Sequence, residues 1–199
     1  NFGQSSTCTG GSGAGTYPFP AGWVLRNVDD RTPHPSVAFV NEAWEANGDL
    51  EDASNCVAFS TSYYGPVGQA DDWMWTPPIG PLTGNTVLRW RARTYDPGYR
   101  DGYEVRIMTG AQGPPTGGTG AIGNQIVNST QVFSVAAEAT TWQDHAVSLN
   151  AFAGQSLYIG FRNNSDDRFL LAIDDVRVLA NEADLVAQDG VAPTPFTRY

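Results

Sequence analysis

Lysine is missing from the chain: every Lys-plus-Arg position is Arg, and acids outnumber these bases 21 to 11, for a formal net charge of -10. The lack of Lys is read as a compositional habit and no chemistry is drawn from it. The acidic balance argues against a nucleic-acid or anionic-membrane partner and favours solubility and cation binding. No run approaches the roughly 18–20 apolar residues that span a bilayer, and there is no basic-then-apolar leader. No membrane insertion is expected, and any export signal is expected to have been removed.

Histidine and cysteine are equally scarce, at two each. Of the two potential neutral-pH bases, His34 lies between prolines in a loop and His145 opens a strand. There is no G-x-S-x-G elbow, H-E-x-x-H helix, phosphate-binding Gly loop or CxxC pair. The chain is therefore read as non-enzymatic, with no catalytic residue assigned. A carboxylate-dependent hydrolase is the one enzymatic alternative, because the separation of paired acids is a three-dimensional fact. Cys8 and Cys56 either form one disulfide in an oxidising compartment or stand as two unrelated thiols. Two N-x-S/T matches, at Asn128 and Asn163, matter only in a glycosylating secretory pathway.

What the sequence does have is many short alternating segments separated by Gly, Pro and Asn turns, with hardly any helical periodicity. Leu88, Trp90 and Ala92 face one way and Arg89, Arg91 and Arg93 the other, as in a half-solvated antiparallel strand. Tyr103, Val105 and Ile107 repeat the pattern. Further strands are expected around Trp23–Val28, Val37–Val40, Asn55–Tyr64, Trp73–Trp75, Gln131–Val135, His145–Leu149, Leu157–Phe161 and Phe169–Val178. The fold class is all-β, an antiparallel sandwich of jelly-roll type. It divides into an N-terminal arm over 1–17, the sandwich over 18–179 and a Pro-rich tail over 180–199. The stretch from Asp29 to Asp52 is read as a long loop around the short Val37–Val40 strand, and Gly110–Gly123 as a surface excursion.

The segment FLLAIDDVRV, Phe169–Val178, is the most informative. Strict alternation puts Asp174 in a row with Leu170, Ala172, Val176 and Val178. A carboxylate in such a row is normally protonated, paired or metal-bound, because burying it alone costs several kcal/mol. Arg26 or Arg177 would supply the ion-pair alternative.

In order, FPAGW, DDWMWTPPI, VLRWRAR, GYEVRIMTG, WQDHAVSLNAFAGQSLYIGFRN and FLLAIDDVRV resemble the cleaved-adhesin, or choice-of-anchor J, modules of secreted bacterial proteins, which are MAM-like jelly rolls. The resemblance spans roughly Phe19–Val178. It implies a calcium-stabilised, extracellular adhesion or glycan-binding module, secreted or held at a bacterial cell surface. It also implies that the acidic loop after the GW strand lies beside the closing DDV strand, bringing Asp29 and Asp30 towards Asp174 and Asp175. The family loop is often a Gly-punctuated acidic run, whereas this one reads DDRTPHPSVAFVNE, so Asn41 or Glu42 enters the ligand set.

Ca²⁺ takes six to eight oxygens, which carboxylates from separate loops can supply. The expected metal residues are Asp29, Asp30, Glu42, Asp174 and Asp175. Aromatic rings in or beside loops, Trp44, Tyr63, Tyr64, Tyr95 and Tyr99, are the expected contacts for a surface glycan or protein. A second reading is a structural subunit of a self-assembling filament or surface layer, tied to further copies of itself by its terminal arms.

Overall fold

The computed structural model describes residues 19–111, 113–116 and 123–180. Ten strands run in chain order: β1 Val24–Asn27, β2 Glu45–Gly48, β3 Cys56–Ser60, β4 Asp72–Trp75, β5 Thr86–Thr94, β6 Tyr103–Thr109, β7 Thr130–Val135, β8 Gln143–Ser148, β9 Leu157–Asn163 and β10 Leu171–Ala180. They form two five-stranded sheets, β1-β4-β9-β6-β7 in front and β2-β3-β10-β5-β8 behind. All pairings are antiparallel. The architecture is the expected jelly-roll sandwich.

Period-two alternation builds the core. Leu88, Trp90 and Ala92 of β5 meet Tyr103, Val105 and Ile107 of β6 and Ile159 and Phe161 of β9 in one buried cluster. At its centre, Trp90 takes Phe133 (5.0 Å) and Phe161 (5.9 Å) edge-on and stacks on His145 (5.3 Å). Aromatic pairs of this kind contribute about 0.5–1.5 kcal/mol beyond the area they bury. Trp90 Nε1 donates to the Tyr103 hydroxyl at 2.8 Å, so the polar edge of the indole is satisfied.

Both outer faces carry apolar cover as well. On the back sheet, Val57, Phe59, Leu170 and Ala172 lie under Phe39 and Val40 of the loop before β2. On the front sheet, Trp73 and Trp75 stack face to face, with centroids 5.3 Å apart and planes 5° apart. Gly160 makes that stacking possible, since a Cβ there would sit 2.6 Å from the Trp75 ring.

Three local expectations change. The Val37–Val40 strand is instead a single 3-10 turn over Pro35–Val37. Pro35 fixes φ at the start of that turn, and the His34 side chain accepts from Ser36 N. β2 lies in the stretch read as loop. Its sequence, Glu-Ala-Asn-Gly, has poor strand propensity, yet pairing with β3 forms it and all four residues are buried.

The closing strand does not alternate strictly. The β10–β5 register shifts between Asp174 and Arg177, and Asp175 adopts φ 51°. Leu171 and Ile173 face the core before this bulge, and Val176 and Val178 pack against the same core after it. Asp174 follows Leu170 and Ala172 onto the outer side. The proposed arm 1–17, Cys8 and the tail beyond Ala180 lie outside the described residues. Cys56 is buried at the first position of β3.

Candidate functional site

One end of the sandwich collects acids that water does not reach. Asp72 opens β4 with the same parity as Met74, so it points between the sheets and is only 3% exposed. Its Oδ2 accepts from the Tyr64 hydroxyl at 2.7 Å, while its Oδ1 is buried with no hydrogen-bond partner. Burial, reinforced by the neighbouring Asp29 charge, holds its pKa well above the usual carboxylate range.

Asp29, just past β1, accepts from Asp71 N at 2.6 Å and from Arg31 N at 2.8 Å, and the Tyr64 hydroxyl also reaches it at 3.4 Å. Its pKa too is raised, by burial ahead of these lowering contacts. Glu45 of β2 is buried with Oε1 unpartnered. Burial and then the Glu42 charge push it up to about 7. The Glu42 charge bears on Asp72 as well, so the exposed Glu42 links the two buried acids. Trp44 closes the group from the core side, its Nε1 donating to the Asp72 carbonyl at 3.1 Å.

A second buried acid lies beyond β5. Asp101 accepts from Ser62 Oγ (2.8 Å) and Asn163 Nδ2 (3.2 Å) at one oxygen, and its Oδ2 has no partner. Burial raises it to about 7 against these lowering bonds.

At the same end, aromatic rings remain reachable. His34 and Tyr63 stack at 4.2 Å, Tyr63 meets Phe169 at 6.4 Å, and Phe169 N donates to the Tyr99 carbonyl at 3.0 Å. Tyr99 is 54% exposed and Tyr63 is half-buried. Phe169 also lines a pocket of about 240 Å³ with Ser36, Phe39, Asn47 and Leu50. An apolar hollow with a few polar groups and aromatic rims is the usual build of a small-ligand site.

The expected contact residues separate accordingly. Tyr63 and Tyr99 stay on the surface. Trp44 and Tyr64 are corrected to interior residues, since a ring with almost no accessible area cannot stack on a ligand. Tyr95 is half-buried, its hydroxyl bound to Asp49 (3.0 Å) and its face covered by the Arg93 guanidinium at 4.4 Å.

Of the expected metal residues, Asp29 and Glu42 gather around Asp72, whereas Asp30 is exposed and its N–H donates to Asn27. Asp174 is on the other sheet, accepting from Asp175 N at 2.6 Å. Burial raises its pKa, opposed by that bond and by the Asn55 side chain. Asp175 takes the ion-pair alternative, with Arg177 at 2.8 Å. Asp174 and Asp175 share no hydrogen-bond partner with Asp29, Asp30 or Glu42 among the described residues. Among those residues, no three His, Cys, Asp or Glu side chains stand, as they are, in an arrangement that could hold a metal ion. The sequence reading left Asp72 and Glu45 out of its metal set; the parity of Asp72 with Met74 was the available signal for the first.

The fold is a cleaved-adhesin-like β-sandwich. Solved structures agree: the K2 cleaved adhesin domain of Lys-gingipain has a TM-score of 0.60 at 18% identity, covering 85% of this chain and 95% of that one. The K1 domain, from Porphyromonas gingivalis W83, gives 0.57 at 20% identity, covering 82% and 93%. The K3 domain from the same organism gives 0.55 at 22%, covering 81% and 92%. No protein-family model and no curated protein matches the sequence.

Proposed function

We propose that the chain is a non-enzymatic, extracellular or surface-borne adhesion module that holds a glycan at the aromatic end of the sandwich. The observation that carries this reading is the ring series His34, Tyr63 and Phe169, whose last ring lines the pocket with Ser36, Phe39, Asn47 and Leu50, with the exposed Tyr99 held beside it by a main-chain bond. Pyranose faces stack on such rings, and the Asn47 and Ser36 side chains supply hydrogen bonds for hydroxyls. The fold shared with domains named as cleaved adhesins supports the same reading. Among the described residues no helix is long and apolar enough to cross a membrane. A glycan array with the native chain and with Tyr63→Ala and Tyr99→Ala tests it. The expected result is a bound sugar class whose signal drops at least tenfold in each variant; signal untouched by both changes would remove the site.

Calcium belongs to the same proposal as a structural ion. The orphaned Asp72 Oδ1 and Glu45 Oε1 are the kind of buried oxygens a cation satisfies. As they stand, no three of these side chains could hold an ion, so Asp29, Glu42, Glu45 and Asp72 would have to draw together to supply the oxygens a hard divalent ion takes. The ion would supply charge neutralisation there. A ligand at about 100 times its Kd adds about 2.7 kcal/mol to the folded state, which raises Tm by roughly 5–11 °C in a domain of this size. Asp72→Asn is expected to erase that gain while leaving Tm in chelator unchanged or higher, because a neutral amide replaces a carboxyl whose ionisation burial opposes. Equal calcium gains in native and variant protein would move the ion elsewhere.

A further inference from the structure

Between Arg106 and Asp144 the sequence holds a single charged residue, Glu138. That residue is buried, its carboxylate taken by His145 Nε2 at 2.8 Å and the Tyr103 hydroxyl at 3.2 Å. In a chain of net charge -10, the described residues of this stretch, 107–111, 113–116 and 123–143, thus put no charge of their own on the surface, and those around β7 form one flank; the exposed Asp144 that follows pairs with Arg91 at 3.4 Å. The frame of that flank is β7, which ends the front sheet. β6 pairs with one side of β7, and among the described residues no strand pairs with the other. Just before it stand two of the most exposed aliphatic side chains in the described structure, Ile126 at 42% and Val127 at 77%.

Edge strands usually carry charges, prolines or a very short length that discourages pairing with another chain. β1 and β2 have four residues each and carry Arg26 and Glu45, and β8 carries Asp144 and His145. β7 reads Thr-Gln-Val-Phe-Ser-Val, six residues without charge, proline or glycine. A bulge at Val132, where the register with β6 slips by one, bends it but adds no charge.

We propose that this flank is a self-association surface, on which a second copy of the chain docks through β7 and the Ile126–Val127 corner. Charge selects that occupant. Two copies of so acidic a molecule repel over most approaches, and β7 with its corner lets them touch through residues that carry no charge. The open backbone row of one β7 matches that of another, so a two-fold pairing satisfies both edges at once.

Sedimentation equilibrium up to about 1 mM chain, the range that detects a millimolar Kd, tests the assignment at low salt and at about 0.5 M salt, where long-range repulsion is screened. A concentration-dependent dimer is expected, at least as tight in high salt as in low. The double variant Val127→Glu, Thr130→Glu, both at exposed positions, should weaken it at least tenfold while its circular dichroism and Tm match the native chain. If that variant loses its fold, amide exchange of the native β7 takes its place, with slower exchange at high than at low concentration expected. A monomer at every concentration, a dimer that salt dissolves, a dimer indifferent to the two glutamates, or β7 exchange independent of concentration would each overturn the proposal. Occupation of the edge by the chain's own arm appears as the first of these.

Discussion

Glu45 and Asp101 are carboxylic acids held where water cannot compensate their charge, and burial raises both to about 7. In an unfolded chain such groups titrate near pH 4. Between about pH 4 and 7 the folded protein therefore holds more protons than the unfolded one, and stability falls as pH rises through that window. In chelator, Tm is expected to be higher at pH 5 than at pH 7.5, and Asp101→Asn should flatten the profile; a Tm that climbs with pH would refute the burial argument. Asp174 behaves differently, since its bond to the Asp175 N–H is local. Asp174→Ala should lower Tm by the same amount with and without calcium, read by paired melts. At this scale the sequence was half legible. Asp29 and Glu42 stood out as loop acids, but Asp72 was masked by its neighbour Asp71, which is only half-buried and bound to Arg162 at 2.7 Å. Adjacent residues on a strand face opposite ways, so one acid of the pair was bound to be interior.

Among the elements, β9 lies between β4 and β6, and its Gly160 leaves room for the Trp75 ring. Gly160→Ala would push a methyl group into that indole and is expected to cost about 1–3 kcal/mol, the usual penalty of overpacking, measured as a lower urea midpoint with unchanged slope. Strands with long alternating patterns, β5 and β6 above all, could be read directly because their parity is set by large apolar residues. β2 could not. Its four residues carry no strand signal of their own and are ordered by β3 and by the Phe39–Val40 loop above the sheet. Missing it also misplaced Trp44, which sits at the inner threshold of that strand rather than in a loop.

At the level of the whole molecule, the sandwich partitions its chemistry: a polar, aromatic-rimmed end, a core of interlocking rings, and an uncharged flank along β7. The fold class was visible because it rests on the sum of many weak alternations. The meeting of Asp29 with Asp72, or of Tyr63 with Phe169, depends on sheet order, which a pattern along one chain does not encode. The Asp175 bulge shows how narrow the margin is between inside and outside. Deleting that one residue would not reverse the outer half of β10, because Val176 and Val178 would then keep their inward aspect by simple alternation. Adding a residue beside it, or deleting Arg177, would turn aliphatic side chains towards water. For this closing strand, reading-frame-preserving gains and losses are thus unequal: loss of either aspartate leaves one and the same chain with its facing kept, and a gain does not.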